Sequence, residues 1–168
     1  AEIINVPLYS HIGEFQNQPE DPLVYEIFNI SQPGDIITHI YHDSGSPILD
    51  EHGKVLPIVR DAERRGVIFD VGFGGFNFGW GLAEKAFAQD LRPHVISSDL
   101  QQFNVLGPVF SLAHIMGMFL HLGMTVGEII DSVTIAPAKA LSLDDRAGSL
   151  KIGMPADITV FKIEDYEI

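Results

Sequence analysis

Four short apolar runs recur along this chain at intervals of roughly 30 residues, and that recurrence limits the fold more than any other feature. They begin near residues 4, 35, 67 and 95, as "INVPLYSHIG", "DIITHI", "VIFDVG" and "HVISSDL". Each is rich in β-branched residues and bounded by Gly, Pro or polar residues, which predicts a strand. Pro7 weakens the first, because proline lacks a ladder donor. Helical patterns lie between them. "EDPLVYEIFNIS" places Leu23, Val24, Ile27, Phe28 and Ile30 near helical spacing behind Asp21 and Pro22. "KVLPIVRDAERRG" fits a helix with Pro57 early and Gly66 as its stop, and "GWGLAEKAFAQD" fits another. "PVFSLAHIMGMFLHLG" and "TVGEIIDSVT" read as two more, split by Gly123. A complete (β/α)8 barrel averages about 250 residues, hence also about 30 per unit. The 168 residues therefore hold about half of such a barrel, or a small doubly wound sheet. Strand composition does not separate the two.

The texture changes after residue 142. "GSLKIGMPADITVFKIED" alternates, is punctuated by Gly and Pro, and predicts two short strands appended to the strand-helix repeats. The expected division is residues 1–142 and 143–168. The chain starts at Ala1 and runs straight into an apolar stretch, as a portion of a longer chain would.

Composition removes several classes of function. A net charge of −13 with ten Lys and Arg argues against nucleic acid, which needs clustered cations. No apolar run reaches the ~18 residues that suggest a membrane span, and no secretory leader opens the chain, so a cytoplasmic protein is expected. The absence of Cys excludes disulfides, thiolate ligands and a Cys nucleophile. Any metal must be held by His, Asp, Glu or a modified Lys.

Three of the runs end in such residues: His11 after the first, His39 and His42 after the second, Asp99 after the fourth. In parallel sheets, function gathers at the carboxyl ends of strands. Two imidazoles and a carboxylate on one rim suit a divalent ion, zinc best. His39 and His42 compete on a regular strand, because residues three apart face opposite ways. His39 is favoured, with His42 over the rim or in the loop. His94 opens a strand and belongs to the opposite face. His52 sits in a Gly-flanked loop, and His114 and His121 on a helix.

"YSHIGE", "GDIITHIYHD", "GVIFDVGFGGFNF", "PHVISSDLQ", "GPVFSLAHIMGMFLHLGMTVGEIIDSVTIAPAKAL" and "GSLKIGMPADITVF" resemble the C-terminal half of the amidohydrolase superfamily. The likeness runs from residue 4 to about 162 and points to its dihydroorotase, D-aminoacylase and deacetylase-like branch. The resemblance implies strands five to eight of a (β/α)8 barrel, followed by a segment of a small β-sandwich. It implies one or two divalent ions at the barrel mouth. His11 matches the strand-five histidine, His39 the strand-six histidine and Asp99 the strand-eight aspartate. Asp99 would then act as general base and acid in hydrolysis of an amide, cyclic amide or ester.

Two departures accompany the resemblance. There is no His-x-His, and Lys54, Lys85, Lys139, Lys151 and Lys162 all fall in helices, loops or the tail, so none suits a bridging ligand. Phe73 in "DVGFGG" stands where related sequences tend to carry His. Phe73, Phe76, Phe78 and Trp80 follow the third strand closely and either wall a substrate or pack over the rim.

Three expectations follow. One is a metal-dependent amidohydrolase, incomplete here and weakly active or inactive alone. The second is an inactive fragment or an oligomerising or binding module, because a half barrel exposes strand edges. Its partners would be a second copy or a missing N-terminal half. The third is a small flavodoxin-like domain, disfavoured because no phosphate-binding Gly-rich loop opens a helix in the usual form.

Overall fold

The computed structural model describes residues 6–12, 22–43 and 48–164. Strands β1 (Tyr9–His11), β2 (Ile36–Thr38) and β3 (Ile68–Phe69) form a parallel sheet in the order β1-β2-β3. Tyr9 pairs with Ile36, and Ile36 pairs in turn with Ile68. The connections are helices α1 (Pro22–Ile30) and α2 (Pro57–Arg65), as parallel neighbours require. Asp35 clamps the start of the sheet. Its carboxylate accepts from the backbone N–H of Leu8 and of Gln32, both at 2.8 Å.

The core lies where this sheet meets its helices. Phe28 of α1 packs edge-on to Phe69 of β3 with ring centroids 6.1 Å apart. Val59 and Ala62 form the buried side of α2, while Arg60, Asp61, Glu63, Arg64 and Arg65 pair along its other side. Arg65 also donates to the Phe28 carbonyl and ties α2 to α1. Each fully buried aromatic or aliphatic side chain contributes about 1.5–3 kcal/mol, so this apolar layer outweighs the exposed ion pairs. Gly66 ends α2 in the left-handed conformation, as the sequence predicts.

Helix α3 (Trp80–Phe87) follows β3, then come α4 (Leu112–His121) and α5 (Val126–Val133). Thr125 and Glu128 close a reciprocal capping box at the start of α5. Gly123 separates α4 from α5 as expected. A further helix, α6 (Ile135–Ala140), was not foreseen.

Two strand expectations need correction. The fourth run forms no strand of the sheet and pairs with the residue after β3 through a single bridge, Asp70 with Val95. It nevertheless runs beside the third: Val71, Phe73 and Gly74 donate to the carbonyls of Val95, Ser97 and Ser98 at 3.1–3.2 Å. The bonds persist, but the turns at Gly72 and Gly74 break the regular ladder. The second correction concerns residues 143–164, which form no strand. Ile152 and Val160 there are almost fully exposed. A strand needs a partner for its backbone groups, and none runs alongside among the described residues. The predicted strand at residues 4–10 is partly outside the described residues and is observed at Tyr9–His11.

Thr125→Ala removes one half of the α5 cap. The expected loss is roughly 0.5–2 kcal/mol of unfolding free energy, read as a lower urea midpoint at unchanged slope.

Candidate metal centre

The carboxyl ends of the parallel segments open onto one cavity of about 1010 Å³. Tyr9 and His11 of β1, Thr38 of β2, and then His39, His42, Gly72, Gly74, Phe76, Ser97 and Asp99 line it. The sequence brings these residues together by stopping its strands at one level.

β2 stops at Thr38 because His39 adopts φ 63°. That left-handed backbone costs a non-glycine residue free energy and persists where the surroundings enforce it. Here the chain turns, and the His42 N–H bonds to the His39 carbonyl at 2.9 Å. His39 and His42 therefore line the same cavity, and strand parity, which would have separated them, does not apply.

His39 is buried, and its Nδ1 lies 2.6 Å from the Gly72 carbonyl. A carbonyl only accepts, so Nδ1 carries the proton and Nε2 keeps its lone pair. Burial lowers the His39 pKa below its usual 6.5, although the Gly72 bond and the Asp99 and Asp70 charges oppose this. The ring is thus neutral near pH 7, the form that binds metal. The His11 ring stands 4.3 Å from it, centroid to centroid, at 66°.

Asp99 also has positive φ, 48°. Its Oδ1 accepts from Gln101 Nε2 at 3.0 Å, and its carbonyl accepts from buried Asn104, which also reaches the Gly74 carbonyl. Two of the three glycines of "DVGFGG", Gly72 and Gly74, make room for these groups. A Cβ on Gly72 would collide with Thr38 Oγ1 and come within 2.6 Å of His39 Nδ1. One on Gly74 would come within 2.5 Å of Asp99 Oδ2. Both glycines also have positive φ.

Two of the three expected ligands, His11 and His39, are in ring contact. Asp99 shares their cavity, but among the described residues no group of three or more His, Asp or Glu side chains could hold a metal ion. The donors present fit a divalent cation in kind, and the set is not closed. Phe76 lies at the rim, 71 % exposed and stacked with Phe103 at 6.5 Å. Phe73 is not a wall of the cavity. It is 6 % exposed and packs against Phe78 in the core, because the turns on either side direct it there. His94 lies with Gly34 and Asp35 at the opposite ends of the strands, as expected.

Sequence reasoning missed Asp70. It is 1 % exposed, and its Oδ2 accepts hydroxyls from Tyr9 at 2.7 Å, Thr38 at 2.6 Å and Ser97 at 2.8 Å. Desolvation, with the Asp70 charge adding, pushes the Tyr9 phenol up to about 12, against a weaker lowering by Thr38. The available signal was an acid inside the apolar run "VIFDV".

Residues 37–167 match the model described as the amidohydrolase family. The chain belongs to that family. A deacetylase from Agrobacterium fabrum is 34 % identical across all of this chain, which spans 40 % of that protein. An adenine deaminase crystal structure superposes with a TM-score of 0.83 at 34 % identity, covering 92 % of this chain and 41 % of that one. A dihydroorotase structure gives 0.73 at 36 % identity, covering 86 % and 36 %. The chain thus spans about two fifths of the amidohydrolases it matches. The likeness drawn from the sequence motifs holds.

The lowered His39 pKa has a defined effect on stability. The unfolded chain holds that proton more tightly, so the contribution is complete above pH 6.5 and is lost as pH falls from 6.5 through the lowered native value. His39→Asn keeps an N–H for Gly72, tolerates positive φ and does not titrate. Urea midpoints between pH 8 and 5 should fall more steeply for the wild type than for this variant.

Proposed function

We propose that this chain is the C-terminal portion of a metal-dependent amidohydrolase. Residues 1–142 would supply the last four strand-helix units of a (β/α)8 barrel, and residues 143–168 would begin a small β-sandwich. The observation that carries the reading is the His11–His39 pair at adjacent strand ends, with Nδ1 of His39 committed to Gly72. Its hydrolase relatives supply the reaction class: the names deacetylase and adenine deaminase both describe removal of a group by hydrolysis.

His11, His39 and Asp99 would hold a divalent ion, with zinc best matched to imidazole and carboxylate. Such an ion, when bound, supplies Lewis acidity toward a carbonyl and toward water. Asp99 takes a proton from the attacking water and returns it to the leaving nitrogen, or to the leaving oxygen of an ester. His42 offers a polar contact inside the cavity, and Phe76 with Phe103 an apolar wall for the acyl group. The substrate is a small amide, cyclic amide or ester.

The remaining ligands, a His-x-His and a bridging lysine, would lie in the part of the relatives that this chain does not span. A partner is therefore part of the proposal, as an N-terminal half or a second copy. Val6, Leu8 and Tyr9 support it, since each is about half exposed beside the outer edge of β1. No helix among the described residues is long and apolar enough to cross a membrane.

The chain alone should bind one zinc or cobalt ion weakly and hydrolyse little or nothing. Fused behind the N-terminal part of a deacetylase relative, it should show metal-dependent hydrolysis. Asp99→Asn in that fusion should lower kcat by roughly 10²–10⁴-fold. Robust turnover by the chain alone would contradict the incomplete site. A folded, metal-loaded fusion inert toward amides, cyclic amides and esters would contradict the reaction class.

A further inference from the structure

Asp70 lies one layer below the rim. It does not line the cavity, yet the three hydroxyls that bond to it all do. Its Oδ1 is also buried and makes no hydrogen bond among the described residues, and no Lys or Arg there pairs with it. A buried carboxylate without a cationic partner is costly. Its retention here calls for a role beyond packing.

The hydrogen bonds around it have only one possible polarity. A carboxylate only accepts, so Ser97 gives its single proton to Asp70 at 2.8 Å. The Ser97 oxygen then accepts from the Gly72 N–H at 3.1 Å. The Gly72 carbonyl in turn accepts from His39 Nδ1 at 2.6 Å. Gly72 is thereby held at both of its backbone groups, at a position where no side chain fits. Thr38 and Tyr9 also donate to Asp70 Oδ2; Tyr9 interacts with Ser97 as well, whereas the Thr38 hydroxyl is not a link in the Asp70–Ser97–Gly72–His39 order.

We propose that Asp70 is a positioning residue that, through Ser97 and the Gly72 peptide groups, fixes the tautomer and direction of His39. The order Asp70–Ser97–Gly72–His39 leaves Nε2 as the cation-binding nitrogen. Asp70 adds a buried negative charge beneath the same rim, and both effects favour a divalent cation. The inference rests on the metal-site reading for its purpose, but the path itself needs no metal.

Long-range ¹H–¹⁵N spectra of the imidazoles at pH 8, without metal, report the His39 tautomer directly. Cobalt titration of the same chain reports affinity separately. The wild type should show a single Nδ1–H form. Ser97→Ala and Asp70→Asn should admit the other tautomer or broaden the signal, and should weaken cobalt binding roughly 10- to 100-fold. Ser97→Thr, which keeps the hydroxyl, should restore both readouts. Thr38→Val, which removes a donor off the path, should leave the tautomer as in the wild type. A merely structural role for Asp70 would lower stability in all these variants without this selectivity.

If Asp70→Asn does not fold, Ser97→Ala against Ser97→Thr decides the matter. A folded Ser97→Ala protein with wild-type tautomer and affinity overturns the proposal. A wild-type chain that binds no cobalt yet shows the tautomer effects would sink the metal-site reading and leave the positioning role standing.

Discussion

The hydrogen bond from His39 Nδ1 to the Gly72 carbonyl sets the chemical character of the cavity's histidine pair. It fixes which ring nitrogen carries the proton, and burial keeps the ring neutral. Without it, an imidazole at a strand end is an ordinary polar residue. With it, a lone pair is held beside the His11 ring. The bond requires β3 to bring Gly72 level with the end of β2, and the parallel pairing of Ile37 with Phe69 sets that level.

The rest of the architecture serves this alignment. Phe28, Phe69, Val59 and Ala62 fix the helices on the sheet, and apolar burial of this kind is the largest favourable contribution to the fold. Strain collects at the other end of the strands. His39 and Asp99 both take left-handed backbones at the cavity, and Gly72 and Gly74 give them room. Unfavourable conformations of that sort survive where a rigid scaffold enforces them. The scaffold here is the run of backbone bonds from residues 71–74 to residues 95–98.

Much of the fold could be read from the sequence, because strand and helix periodicities are local. The runs at Ile36–Thr38 and Ile68–Phe69 and the helix ending at Gly66 follow from apolar spacing and end signals. The appended strands after residue 142 could not be judged that way, since alternation gives a strand only where a neighbour pairs with it. His11 and His39 were recoverable because strand ends converge in parallel sheets. His42 was weighed by strand parity, which fails once His39 turns the chain. Phe73 was left open between a substrate wall and packing over the rim for a related reason: side-chain direction beyond a strand depends on the turn, and glycine turns leave no mark in hydrophobic pattern. Gly72 and Gly74 of "DVGFGG" proved to be space for two candidate ligands, visible only from the atoms opposite. Asp70 looked like a strand residue because its hydroxyl partners lie 61, 32 and 27 residues away in sequence.

Membership of the amidohydrolase family and the histidine pair support the proposed chemistry by separate routes. One rests on a match over residues 37–167 and on superposed structures, the other on the direction of a single proton. The most direct test is a crystal structure of the zinc-soaked protein recorded at the zinc edge. An anomalous peak about 2.0–2.1 Å from His39 Nε2, with His11 as a second ligand, is the expected result. A peak elsewhere, or a His39 ring turned so that Nδ1 leaves the Gly72 carbonyl, would contradict it.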